Sequence, residues 1–167
     1  MLYLFSNGPM QTTAAALPVT TGAVIKTMLQ IKLLVPAKIV DWWISFDGMA
    51  PGTPIRVELI ETDVAATVTA FAAADIAGLD AEALLVGSPL TSYVSAGVAA
   101  SGYTATAEGT ITAVRDLVVP QFIAPTNQNI IQFPLGRNPY LQPSKFQRIR
   151  VTAPAAVNCY CGFTLEF

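Results

Sequence analysis

The sequence predicts an all-β fold: an antiparallel β-sandwich built as a jelly roll, with one short helix or helical turn around residues 72–85. Three observations lead there. Short segments rich in Val, Ile, Thr, Phe and Trp alternate apolar with polar residues, which is the period of a strand with one wet face. The 12 prolines and 11 glycines punctuate those segments as turns. The segments recur at roughly 8–12 residues, and the chain is long enough for the eight or so strands of a jelly roll. An immunoglobulin-like sandwich ranks second, because its usual length is about 100 residues. A length of 167 residues argues for a single domain over 1–167, with 1–16 as an N-terminal arm.

The elements follow in order. Met1 to Phe5 is apolar and short, lacks a basic leader and meets Ser6-Asn7-Gly8-Pro9 at once, so no signal peptide is expected and synthesis is expected in the cytoplasm. An apolar arm of this kind exists to dock on something, either its own fold or a neighbouring subunit; the neighbour is preferred, with Leu2, Tyr3 and Phe5 as the residues that meet it. Val24 to Leu34 reads as a strand. Lys26, Gln30, Lys32 and Lys38 interrupt the apolar zone from Ala23 to Val40, so it is no membrane span, which needs about 20 apolar residues. Val40, Trp42, Ile44 and Phe46 are placed on a core face, opposite Asp41, Trp43, Ser45 and Asp47, and Asp47-Gly48 makes the turn. Ile55, Val57 and Leu59 alternate with Arg56 and Glu58. Ala66 to Ala70 is a further strand. Ala72 to Leu85 is Ala-rich and helical in character, broken by Gly78 and ended by Gly87-Ser88-Pro89. Ser88 to Gly109 reads as a surface loop or edge strand. Thr110–Val118 and Asn129–Phe133 are strands, and the run carrying Pro134, Pro139 and Pro143 crosses between sheets. Ile149 and Val151 alternate with Arg148 and Arg150. In the last strand Val157, Cys159, Cys161, Phe163, Leu165 and Phe167 share the core face.

Composition bounds the function. Hydrophobic residues make up 53% and charged residues 12%, against about 25% charged in an average soluble domain. Disorder is excluded, and the surplus apolar surface is expected to be buried between subunits. A net charge of −2 with no basic cluster argues against nucleic acid. Histidine is absent, which removes the commonest general base and metal ligand and excludes a Ser-His-Asp triad. Cys159 and Cys161 read as buried thiols: a bridge between them is badly strained, and no further Cys or His completes a metal site. Glu58, Glu61 and Asp63 match no calcium loop and read as a solvated strand face and turn. Asp41 and Asp47 lie about 20 Å apart along a strand, too far to share chemistry. No catalytic, cofactor or metal site is expected, and the chain is read as a non-enzyme. Trp43 stands on the outer face, and it and Phe71 are either packed beneath a loop or placed at an interface, where aromatic residues are enriched. The interface candidates are therefore Leu2, Tyr3, Phe5, Trp43 and Phe71.

Several segments carry a family resemblance: Thr20–Gln30 (TTGAVIKTMLQ), Trp43–Gly48 (WISFDG), Pro54–Thr62 (PIRVELIET), Gly102–Thr110 (GYTATAEGT), Ala124–Gln128 (APTNQ), Pro134–Arg137 (PLGR) and Arg148–Asn158 (RIRVTAPAAVN). Together they resemble small proteins of actinobacterial phages, of the capsid decoration or cement type. The resemblance implies a structural virion protein on the capsid surface, a homotrimer partnered by the major capsid protein, with no catalytic residues, no nucleic acid and no membrane. The competing expectations are a tail or fibre component and a carbohydrate-binding sandwich, for which Trp43 beside Asp41 would be a fragment of a site.

Overall fold

In the computed structural model, which describes residues 1–9, 18–48, 52–80 and 90–167, fifteen strands form two antiparallel sheets packed face to face. In chain order the strands are β1 Leu2–Ser6, β2 Val19–Thr20, β3 Ile25–Leu33, β4 Ala37–Phe46, β5 Ile55–Thr62, β6 Thr67–Ala70, β7 Ala77–Gly78, β8 Val94–Ser95 and β9 Gly102–Ala107. They continue with β10 Val114–Asp116, β11 Gln121–Ile123, β12 Gln128–Gln132, β13 Tyr140–Leu141, β14 Phe146–Thr152 and β15 Asn158–Glu166. The first sheet runs β12-β4-β15-β1-β7, with β13 also on β4 and β2 on β15. The second runs β10-β5-β14-β3-β9-β6, with β11 also on β5 and β8 on β3. The pairing is nested: β1 pairs with β15, β3 with β14, β4 with β12, and β5 with β11.

The alternation of apolar residues builds this arrangement. Tyr3, Phe5, Ile39, Trp42, Ile44, Cys159, Cys161, Phe163 and Leu165 of the first sheet meet Ile31, Leu33, Ile55, Val57, Leu59, Ile149 and Val151 of the second in one buried cluster. Two bulges adjust the period. On β3 the register with β14 skips Met28, so Met28 and Leu29 are both buried. On β4 the register with β15 skips Val40, so the core position passes to Ile39 and Val40 is only partly buried. The expectation that Val40 shares the core face of Trp42 is corrected by that extra residue, which reverses the facing of everything before it.

The helical turn expected around 72–85 is a 3-10 turn, Ala73–Asp75, in which the Asp75 carboxylate accepts from the Ala72 amide at 2.8 Å. Residues 81–85, and the Gly87-Ser88-Pro89 stop, lie outside the described residues. A further short helix, α1, spans Leu90–Tyr93. Among the described residues no helix is long and apolar enough to cross a membrane.

The arm expected over 1–16 is corrected for its first residues. Leu2–Ser6 is a strand inserted between β15 and β7 of the chain's own sheet. The Met1 ammonium donates to the Phe167 carbonyl at 3.1 Å, and the Phe167 amide to the Met1 carbonyl at 2.9 Å, so the two ends of the described chain meet. Residues 10–16 lie outside the described residues.

Segments 63–70 and 98–109, which carry β6 and β9, lie on the second sheet and partly cover its outer face, whereas β7 joins the first sheet. Gln30 donates to the carbonyls of Ala66 and Ala100 and accepts from the Ala66 amide. Arg148 donates to the Val64 and Glu108 carbonyls and pairs with the Glu108 carboxylate at 3.4 Å. Glu108 in turn accepts from the amide and hydroxyl of Thr27. Arg148 alternates with core residues yet is itself fully buried, because these segments lie over it.

Candidate functional site

Among the described residues the surface richest in exposed large apolar side chains is one lateral edge of the sandwich. β10 and β11 line the free side of β5, and β12 and β13 line the free side of β4. The two sheet edges are tied together: Arg115 of β10 donates to the Tyr140 carbonyl at 2.7 Å, and the Asn129 side chain donates to that of Gln121. Among the described residues no strand pairs with the outward side of any of these four.

The edge is apolar. Val114 is 50% exposed, Val119 79%, Phe122 72%, Ile130 66%, Tyr140 61% and Leu135 entirely. Ile123 is the only buried residue between Thr110 and Tyr140. The charges in that stretch are Arg115, Asp116 and Arg137, and Arg115 is already neutralised by Glu61. Full burial of one large apolar side chain contributes roughly 1.5–3 kcal/mol. Six such residues carry on the order of 10 kcal/mol, comparable with the rotational and translational cost of association.

The five interface candidates do not gather there. Tyr3 lies in the core with its ring edge-on to Phe167, and Phe5 is fully buried against Phe163 and Phe71. Phe71 is buried between Phe5 and Tyr103. The expectation that Tyr3, Phe5 and Phe71 face a neighbour is corrected, since their rings are used up in the chain's own core. Leu2 and Trp43 are partly exposed on the outer side of the first sheet, on different strands. The edge residues escaped the sequence reading because they follow no period. The available signal was a run of about thirty residues with few charges and isolated large apolar side chains.

The charged clusters are structural in their contacts. Glu58 and Glu61 were expected to be solvated, yet both are buried. Guanidinium groups meet them: Arg150 from the neighbouring β14 and Arg56 from β5 itself reach Glu58, and Arg115 of β10, two-pronged, reaches Glu61. Glu61 also accepts from the Gln142 amide and the Gln147 side chain. It forms the floor of a surface hollow of about 190 Å3 shared with Asp63, Arg115, Gln142 and Lys145. Asp63 is exposed. The Thr112 hydroxyl and the Ala113 amide hold its carboxyl down from 3.8 to about 2. Cys159 and Cys161 are free and buried, and burial pushes the Cys161 thiol well up. Among the described residues no group of His, Cys, Asp and Glu is placed to hold a metal ion.

The chain matches no family model, no curated protein and no solved structure.

Proposed function

We propose that this chain is a structural virion protein, a capsid decoration or cement protein that assembles as a trimer and seats on the major capsid protein of a phage head. The observation that carries the reading is the apolar edge of β10–β13, which offers binding energy at low charge density. A cement protein acts by such energy: it binds the assembled shell in preference to its parts and so stabilises the assembled state by mass action. Several subunits held together add avidity without new contacts.

The strand order supports a jelly roll as the form of the sandwich. Taking β1, β3, β4, β5, β11, β12, β14 and β15 as its eight strands, the pairs run first with eighth, second with seventh, third with sixth and fourth with fifth. Such nesting is what a long antiparallel ribbon leaves when it is wound into two sheets. The architecture is used in viral shells and in lectins alike.

Light scattering after size exclusion, across a dilution series, tests the association. A mass of three chains that persists on dilution is the expected result, and a monomer throughout overturns it. Adding the trimer to undecorated phage shells then tests the destination. Saturable binding that raises the shell's thermal stability is expected, and absence of binding overturns the capsid reading while leaving the oligomer intact.

A further inference from the structure

We propose that the outer face of the first sheet carries a second site, a shallow platform that binds a neutral sugar ring. β4 sends Trp42 into the core and turns Trp43 the other way. On β15 the Tyr160 ring stacks on Trp43, with centroids 5.7 Å apart and planes 15° from parallel. Gly162 sits directly across from Trp43 and has no room for a side chain. A Cβ there would meet the indole at 2.7 Å and the Phe5 carbonyl oxygen at 2.4 Å. The absence of a side chain at that position is what lets the indole lie over the β15 backbone.

The rows on either side are chemically distinct. Across the strands, Ile130, Trp43 and Gly162 form one register line. The adjoining line holds Gln128 and Ser45 beside Tyr160, and the line on the other side holds Gln132, Asp41, the buried Thr164 and Leu4. Same-face lines on a sheet are about 7 Å apart, so Trp43 and Tyr160 make a platform about two rings across, with the Gln128 and Gln132 amides, the Ser45 hydroxyl and the Asp41 carboxylate at its rim. None of these bordering residues is a cation. Lys38, the nearest along β4, lies beyond the bulge, opposite Glu166.

That combination selects the occupant. A pyranose presents an apolar C–H face that packs on the electron-rich face of an aromatic ring, and a rim of hydroxyls that hydrogen-bond to amides and carboxylates in the same plane. A phosphorylated or sulfated ligand would find no positive charge. The platform touches the lateral edge only through Ile130, and the inference does not depend on the virion reading.

The test uses the two tryptophans. Trp42 is 1% exposed and Trp43 partly exposed, so iodide quenches Trp43 selectively. Cellohexaose, chitohexaose and mannohexaose are titrated separately into the full chain. At least one is expected to shift the emission and protect it from iodide. Trp43→Ala and Tyr160→Ala are expected to weaken that binding about tenfold or more, with the urea midpoint retained, and Trp43→Phe to keep most of it. Should the aromatic variants misfold, Gln128→Ala with Gln132→Ala reads the rim, since both side chains are exposed. The proposal is overturned if none of the three sugars alters the Trp43 signal, or if binding survives both Trp43→Ala and the paired Gln variant. Protection of Trp43 that rises with protein concentration alone also overturns it, by making the face a contact between copies.

Discussion

Asp63 follows the last residue of β5 and accepts hydrogen bonds from the hydroxyl of Thr112 and from the amides of Thr112 and Ala113, at 3.2 and 3.0 Å for the two amides. These bonds favour the ionised form, and the Thr112 hydroxyl is the largest cause of the fall from 3.8 to about 2. The folded value lies below the unfolded one. The stabilising contribution is therefore complete above pH 3.8 and is lost as pH falls through about 2. Because these bonds all go to residues 112 and 113, the effect is local: it is the attachment of residues 112–113 to the end of β5 that loosens. A carbon-13 titration of the Asp63 carboxyl is expected to give a midpoint near 2, and Thr112→Val is expected to move it up towards 3.8. An unmoved midpoint would show that the amides alone hold the charge.

At the scale of elements, segments 63–70 and 98–109 are fastened to the second sheet by side chains: Gln30 and Arg148 bond to their backbone, and Glu108, itself in the second segment, accepts from the amide and hydroxyl of Thr27 on β3. Burial pulls the Arg148 guanidinium down to about 10, and Glu108 opposes that fall. Removing one partner from such a pair leaves the other charge uncompensated. Arg148→Met is expected to lower stability in urea by about 3–5 kcal/mol. Adding Glu108→Gln should recover part of the loss, since the two changes share one interaction. Strict additivity would mean that the pair is not coupled. These same residues mark how far the sequence could be read. The alternation of β5 and β15 was legible because one face of each packs on the opposite sheet. Arg148 was not, because its strand's period gives its face and not what covers that face: Glu108 lies forty positions away. Val40 was misplaced for a different reason, since a period of two cannot foresee the extra residue of a bulge. Tyr3 and Phe5 were assigned to a neighbour because an apolar strand looks the same whether it completes its own sheet or another's.

At the scale of the whole molecule, among the described residues both sheets end in strands unpaired on their outer side at each limit: β7 and β6 beyond β1 and β3, and β10–β13 beyond β5 and β4. Open edges invite unlimited strand addition, and along β11–β13 they are short and bounded by proline. β11 lies between Pro120 and Pro125, β12 between Pro125 and Pro134, and β13 between Pro139 and Pro143. Proline lacks the amide needed to extend a ladder, so fibre-like growth is blocked while the apolar side chains remain available. The trimer proposed above needs a heterologous contact through these side chains that closes into a ring. Phe122→Lys combined with Val119→Lys places two charges on that edge at positions 72% and 79% exposed. The subunit's own stability is expected to change by no more than about 0.5 kcal/mol, while the assembly falls to monomers in sedimentation equilibrium. Val24→Lys with Val98→Lys, equally apolar positions at 68% and 60% exposure away from β10–β13, should leave the assembly intact. If the second pair dissociates it and the first does not, the interface lies elsewhere on the molecule and the edge has another partner. Sugar binding at Trp43 should be indifferent to both pairs, which separates the platform from the edge in a single set of variants.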